Sequence, residues 1–274
     1  MSTQAAGVRF SLLGPVMATR EGVALDLGPR QRRVLLIRLL IAQGRPVSLD
    51  RFCHDLWEGH PPVRAATSVH AHISRLRRVL YSSGPSKADP DGILATTPYG
   101  YVLHAADEDR DTVRFERTVT TGRDLLDAGR PERAAEVLAA ALTAWRGDAL
   151  IDAAALPFAA RESARLTELR HAARELYVRT LLMSGRPDQA VHTAQNLIAE
   201  EPLRESAWDL LMRSLWLLGR PAEAMQQYDR VSHVLRVELG VEPGPSLRGL
   251  RRSIQQHDVP RLEVLAPSFA RAAC

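Results

Sequence analysis

RAATSVHAHISRLRRVLYS, Arg64–Ser82, reads as a helix with two incompatible faces. At about 100° per residue, Val69, Ile73, Leu76 and Leu80 fall on one narrow stripe. Nearly opposite lie Arg64, Thr67, Ala71, Ser74, Arg75 and Arg78, with His70 and Arg77 on one flank. Small residues alternating with arginines suit a helix lowered into a DNA major groove. The short side chains let the backbone approach, and Arg reaches guanine edges or phosphates. A solvated basic face on an ordinary helix has the same composition, so the neighbouring segments decide between the two.

Upstream, Val8–Leu12 alternates apolar and polar as a half-buried strand does, and Gly14-Pro15 ends it. Val16–Thr19 and Ala24–Leu27 are further short strands around a turn at Arg20–Val23. Pro29–Ala42 carries Pro near its first turn and stops before Gly44. Its Val34, Leu35, Leu36, Ile37, Leu39, Leu40 and Ile41 are too apolar for a surface helix and predict a buried spine. Arg30, Arg32 and Arg33 at its start oppose the macrodipole unless an anion is near, which leaves phosphate contact and simple exposure both open. Ser48 suits the N-cap of Leu49–Trp57, whose Leu49, Phe52, Cys53 and Leu56 share a face.

Gly59-His60-Pro61-Pro62 breaks the chain before the quoted helix, and a Gly/Pro/Ser/Asp-rich loop follows it over 82–92. Ile93–Thr96 and Tyr99–Leu103 then form a hairpin around a Thr96-Thr97-Pro98-Tyr99-Gly100 tip. Small strands, three helices and a terminal hairpin make a winged helix-turn-helix, the third helix as reader and the hairpin as wing. Trp57 and Tyr101 read as core residues. Thr96, Thr97 and Tyr99 at the wing tip are candidates for a groove or backbone contact.

Charge agrees with this division. Residues 1–104 hold 12 Arg and one Lys against seven acidic residues, a net of +6, while the whole chain is +4. The remainder is therefore negative, and the polyanion-facing role falls to the N-terminal part. Of the two cysteines, Cys53 falls in a helix and Cys274 is the last residue, so neither a disulfide framework nor a zinc site is expected. The nine histidines are scattered; His70 and His72 leave a helix in different directions, and no HExxH, GxSxG or GxxxxGK[ST] pattern occurs. The expectation is a protein with no catalysis, no metal and no cofactor. Without a signal-peptide layout or an apolar run long enough for a bilayer, it is also expected to be cytoplasmic, nucleoid-associated and without a membrane partner.

From Asp111 onward a phrase recurs: Gly129-Arg130-Pro131 with Ala134, Gly185-Arg186-Pro187 with Ala190, and Gly219-Arg220-Pro221 with Ala224. The last two copies stand 34 positions apart, the tetratricopeptide period. Gly ends one helix in a left-handed conformation, Pro starts the next, and the Ala lets the pair pack closely. The first two copies stand 56 apart, which predicts an irregular insertion near Trp145–Leu156. Pro202 and Pro243 close the later units. The fold expected is mainly α: an N-terminal winged helix-turn-helix (α+β) over 1–104, an all-α tetratricopeptide-like domain over 105–257, and a tail over 258–274.

The strand-rich start, Leu56-Trp57, Ile73–Leu80 and Tyr99-Gly100-Tyr101 resemble the OmpR-type DNA-binding domain. Leu142–Leu150 and Leu235–Arg248 look like signatures of the bacterial transcriptional activation domain. Joined, the two resemble the Streptomyces antibiotic regulatory protein family over roughly residues 8–257. The resemblance implies a transcriptional activator of a secondary-metabolite (antibiotic) gene cluster. It also implies binding to direct repeats that overlap a promoter, with recruitment of RNA polymerase holoenzyme through its sigma factor. Two protomers side by side on double-stranded DNA would give one small module useful specificity. The length leaves no room for a phospho-acceptor receiver domain, so control through one is not expected. A tetratricopeptide-type interaction adaptor, or a repressor using the same DNA contacts, stays open at this point.

Overall fold

The computed structural model describes residues 7–81 and 92–258. The loop residues 82–91 and the tail from 259, Cys274 included, lie outside the described residues. Two units emerge: residues up to Arg117 together with Thr143–Leu169, and Thr118–Leu142 together with the chain from Arg170 onward.

In the first unit, β1 (Val8–Ser11), β2 (Met17–Arg20) and β3 (Val23–Ala24) form an antiparallel sheet in chain order. The third strand starts one residue earlier than expected and is shorter. Glu21 and Gly22 make a two-residue turn at φ 51° and 83°, the hand that matches strand twist, and so fix the register at Arg20↔Val23. Helix α1 (Arg30–Ala42) is the spine the sequence predicts, with Leu35, Leu36 and Ile37 fully buried. Helix α2 (Leu49–Trp57) is capped by Ser48, whose hydroxyl accepts from Arg51 N at 3.1 Å. Asp55, on α2 and buried, accepts from Arg38 Nε on α1 at 2.7 Å and from Arg51 Nε at 3.1 Å. One buried carboxylate thereby joins two helices and is neutralised by two guanidinium groups.

Helix α3 (Ala65–Leu80) is followed by the hairpin of β4 (Leu94–Thr97) and β5 (Gly100–Leu103). The hairpin has a further rung the sequence does not announce: Val47, just before α2, exchanges both backbone hydrogen bonds with Tyr101, at 2.9 and 3.0 Å.

Residues Thr143–Leu169 fold with this unit. Arg146 N donates to Leu13 O at 2.8 Å, Leu150 N donates to Leu12 O at 3.0 Å, and Trp145 meets the Phe115 ring edge-on at 5.4 Å. Asp152 supplies the anion that the start of α1 requires. It accepts Arg33 Nε at 2.8 Å and Val16 N at 2.8 Å, and its carbonyl accepts Arg30 Nε at 3.0 Å. Arg33, half-buried, is thereby paired within the chain, while Arg30 stays exposed, as one of the two open readings had it, and donates to a single carbonyl.

Among the described residues seven more α-helices follow: α4 (Asp111–Asp127), α5 (Pro131–Leu142), α6 (Pro157–Met183), α7 (Pro187–Glu200), α8 (Glu205–Leu217), α9 (Pro221–Leu239) and α10 (Pro245–Gln255). Those of the second unit carry the repeat. Gly129, Gly185 and Gly219 sit at φ 70°, 70° and 71°. After each, the Arg amide reaches back to Leu125, Leu181 or Leu215 at 2.8–2.9 Å, the pairing that satisfies a helix's last carbonyls. Ala134, Ala190 and Ala224 have no exposed surface. Trp208, Met212 and Leu215 of α8 anchor a core shared with α7, α9 and α10.

Candidate nucleic-acid interface

The apolar stripe of α3 is fully committed to the interior: Val69 is 0%, Ile73 1%, Leu76 0% and Leu80 2% exposed, packed toward α1 and α2. A helix buried along one stripe must present the opposite one to solvent. Thr67, His70, Ala71, Ser74, Arg75 and Arg78 are exposed there, and so is Arg64 at the helix start. Ala66, not singled out from the sequence, is exposed as well and extends the surface of small side chains. The helix contains no acidic residue, and among the described residues Arg64, Arg75 and Arg78 form no ion pair. Three cations thus stand without an acidic partner among the described residues, beside a surface low enough for close approach.

Two internal devices hold this helix in place. Arg20 donates to Leu80 O at 2.5 Å, a cation at the negative end of the helix dipole. Arg77, half-buried, ties the reader helix to the wing. Its Nε donates to Leu94 O at 2.9 Å, one Nη donates to Thr96 Oγ1 at 2.5 Å, and the guanidinium lies 5.7 Å from the Tyr101 ring centre. Within the wing, Thr97 Oγ1 donates to Gly100 O at 3.1 Å and accepts from Tyr99 N at 3.3 Å, which closes the Pro98-Tyr99 turn. Tyr99 itself is 79% exposed. Thr96 and Thr97 therefore shape the wing, while Tyr99 projects from it.

The sequence reading treats Tyr101 as a core ring. The ring is buried at 7% exposure, but its hydroxyl lies 2.6 Å from His70 Nδ1 on α3. That partner is 31 positions away on another element, so no local pattern could have revealed it.

His72 leaves the helix on the other side. It is buried, with Nε2 3.2 Å from Gln31 Oε1. Burial, then the positive charges of Arg32 and Arg75, hold its pKa below the usual 6.5. A histidine kept neutral by folding contributes stability that is present above pH 6.5 and lost as pH falls through its lower folded value. Wild-type protein is thus expected to lose melting temperature on acidification below 6.5, and His72→Gln to lose less. Identical losses in the two proteins would remove His72 from the pH response.

Among the described residues, no cluster of His, Cys, Asp and Glu has the makings of a metal site, and no helix is long and apolar enough to cross a membrane.

Residues 22–103 match the family described as "Transcriptional regulatory protein, C terminal", and residues 110–255 match "Bacterial transcriptional activator domain". The chain is 36% identical to the transcriptional regulator RedD of Streptomyces coelicolor, covering 92% of this chain and 71% of RedD. It is 30% identical to the regulatory protein DnrI of Streptomyces peucetius, over 97% and 98% of the two chains. The transcriptional regulatory protein EmbR of Mycobacterium tuberculosis is 35% identical over 89% of this chain, which spans 62% of EmbR's length. The structure of EmbR in complex with a low-affinity phosphopeptide superposes with a TM-score of 0.86 at 34% identity, over 93% of this chain and 66% of that one.

Proposed function

We propose a function for a chain that belongs to the Streptomyces antibiotic regulatory protein family of transcriptional regulators: it is a sequence-specific DNA-binding activator of a secondary-metabolite biosynthetic gene cluster. The reading module is residues 1–104, buttressed by Thr143–Leu169, and the activation domain is the helical remainder to 257. The observation that carries this is the solvent-facing side of α3, where Thr67, Ala71 and Ser74 keep a low profile among Arg64, Arg75 and Arg78, which form no ion pair among the described residues.

Lowered into a major groove, Arg75 and Arg78 address base edges, while Arg64, Thr67 and Ser74 hold phosphates or bases. His70 and Arg77 flank the groove on the wing side, and the wing brings Thr96, Thr97 and Tyr99 toward the adjacent backbone. One such module reads only a few base pairs. Two protomers side by side on direct repeats would occupy sites about 10–10.5 bp apart, one helical turn. The bound pair then recruits RNA polymerase holoenzyme, its sigma factor included, from within the cytoplasm.

Promoter fragments from the gene's own neighbourhood test this reading. Footprinting should show protected direct repeats upstream of a start site, and run-off transcription with purified holoenzyme should rise when protein is added. Protection with falling transcription would make the protein a repressor. Failure to protect any promoter fragment would leave an interaction adaptor.

A further inference from the structure

Inside the proposed reading face lies a polar contact with a direction. The Tyr101 hydroxyl and His70 Nδ1 are 2.6 Å apart, and the two rings meet edge-on at 6.2 Å. Tyr101 is fixed on its other sides: Phe52 lies 6.1 Å away, Arg77 stacks on the ring, and the backbone is hydrogen-bonded to Val47. The phenol is pushed above its ordinary pKa of 10.0, because burial outweighs the opposing pull of Arg77. It therefore stays protonated at neutral pH and has one O–H to place.

For an imidazole that carries one proton, two arrangements fit the distance. In one, Tyr101 donates to a bare Nδ1, and His70 carries its proton on Nε2. In the other, Nδ1–H donates to Tyr101, Nε2 is bare, and the phenol proton has no acceptor among the described residues. Leaving a buried donor unpaired forfeits its hydration without return. The hydrogen bond at one imidazole nitrogen sets the state of the other.

We propose that Tyr101 is a positioning residue that favours the Nε2–H tautomer of His70, making His70 a hydrogen-bond donor that selects an acceptor on a base edge. The acceptors that fit are purine N7, guanine O6 and thymine O4; the exocyclic amines of adenine and cytosine, themselves donors, are refused. His70 is exposed on the same side of α3 as Ala71 and Ser74, whose short side chains let its outer edge approach. This inference rests on the DNA-binding reading for its ligand, but not for the tautomer.

Two measurements on the full-length protein keep those parts separate. Two-bond proton–nitrogen correlation spectra of imidazole-labelled protein, without DNA, should show His70 as the Nε2–H form. Tyr101→Phe, which keeps the ring and removes the hydroxyl, should yield a tautomer mixture with the melting temperature little changed. A His70 found as Nδ1–H in the wild type overturns the proposal. With a footprinted site in hand, His70→Ala should lower affinity about 2- to 13-fold, the worth of one hydrogen bond. The loss should concentrate at one base position, and 7-deaza substitution at a purine there should abolish the difference if N7 is the acceptor. Tyr101→Phe should cost less, about twofold for an even tautomer mixture, and adding it to His70→Ala should lower affinity no further. Equal weakening on every sequence would make His70 a phosphate contact and overturn the selective role. Failure to bind any duplex would sink the DNA reading and leave the tautomer result standing.

Discussion

Arg78→Ala is expected to weaken binding to the protected site by about 1–3 kcal/mol, roughly 5- to 150-fold. The side chain is exposed and, among the described residues, forms no ion pair, so its removal leaves no buried charge and should shift stability by less than about 0.5 kcal/mol. The salt dependence separates two kinds of contact. A guanidinium on a base edge gives a loss concentrated at one position of the site. On a phosphate it gives an even loss on all sequences and a salt slope smaller by about one. Arg75→Ala should act in the same way, with a second consequence: removing one of the charges that hold His72 neutral lifts that histidine's pKa. Gel shifts at several salt concentrations, with specific and scrambled duplexes, read both variants. Unchanged affinity for both would take the basic side of α3 out of the interface.

The larger structural effect is expected at the wing. Gly100 stands at φ +132°, and a Cβ there would lie 2.1 Å from the carbonyl oxygen of Val47. That carbonyl accepts from Tyr101 N, so Gly100→Ala pushes the hairpin off the segment that anchors it. The cost should reach about 3 kcal/mol, since a strained backbone is combined with a clash against a fixed group. A fall in melting temperature of roughly 6–12 °C follows for a unit of this size. Gly219→Ala is the comparison that isolates the clash. Its φ is +71° with nothing within 4 Å of the added carbon, so only the left-handed strain, about 1–2 kcal/mol, is incurred. Gly100→Ala should also weaken DNA binding beyond its loss of folded protein, because Thr96 and Tyr99 move with the hairpin and Arg77 of α3 loses its hold on it. Equal melting temperatures for the two variants would show that the wing is not seated on Val47.

What could be read from residues alone follows the range of the forces involved. The two faces of α3 are a matter of helical period, and Val69, Ile73, Leu76 and Leu80 are buried in the structure as their spacing predicts. The three Gly-Arg-Pro turns are local as well: each needs one left-handed residue, one helix starter and one small side chain. Long-range polar contacts leave no such trace. Asp152 and Val16 are separated by 136 positions, and Asp111 accepts from Leu12 across 99. No periodicity announces them, so the association of Thr143–Leu169 with the N-terminal unit leaves no trace in the residues, although Trp145 and Arg146 stand in a recognisable signature phrase. For the same reason the sequence leaves Arg33 open to phosphate, whereas in the structure the Asp152 carboxylate holds it. Within the candidate site, exposure was legible but hydrogen-bond direction was not. Arg77 reads from the sequence as one more arginine, and in the structure it is a strut to the wing.

One cleavage experiment tests most directly whether α3 is the element that enters the groove. In a Cys53→Ser, Cys274→Ser background, Ser74→Cys carries an iron chelate that cuts DNA next to its point of attachment. Cuts inside each protected repeat, staggered across the major groove, are the expected result. A chelate that leaves the repeats intact, while the same reagent on an exposed Thr96→Cys or on the helical domain cuts within them, would contradict the assignment of the reader helix.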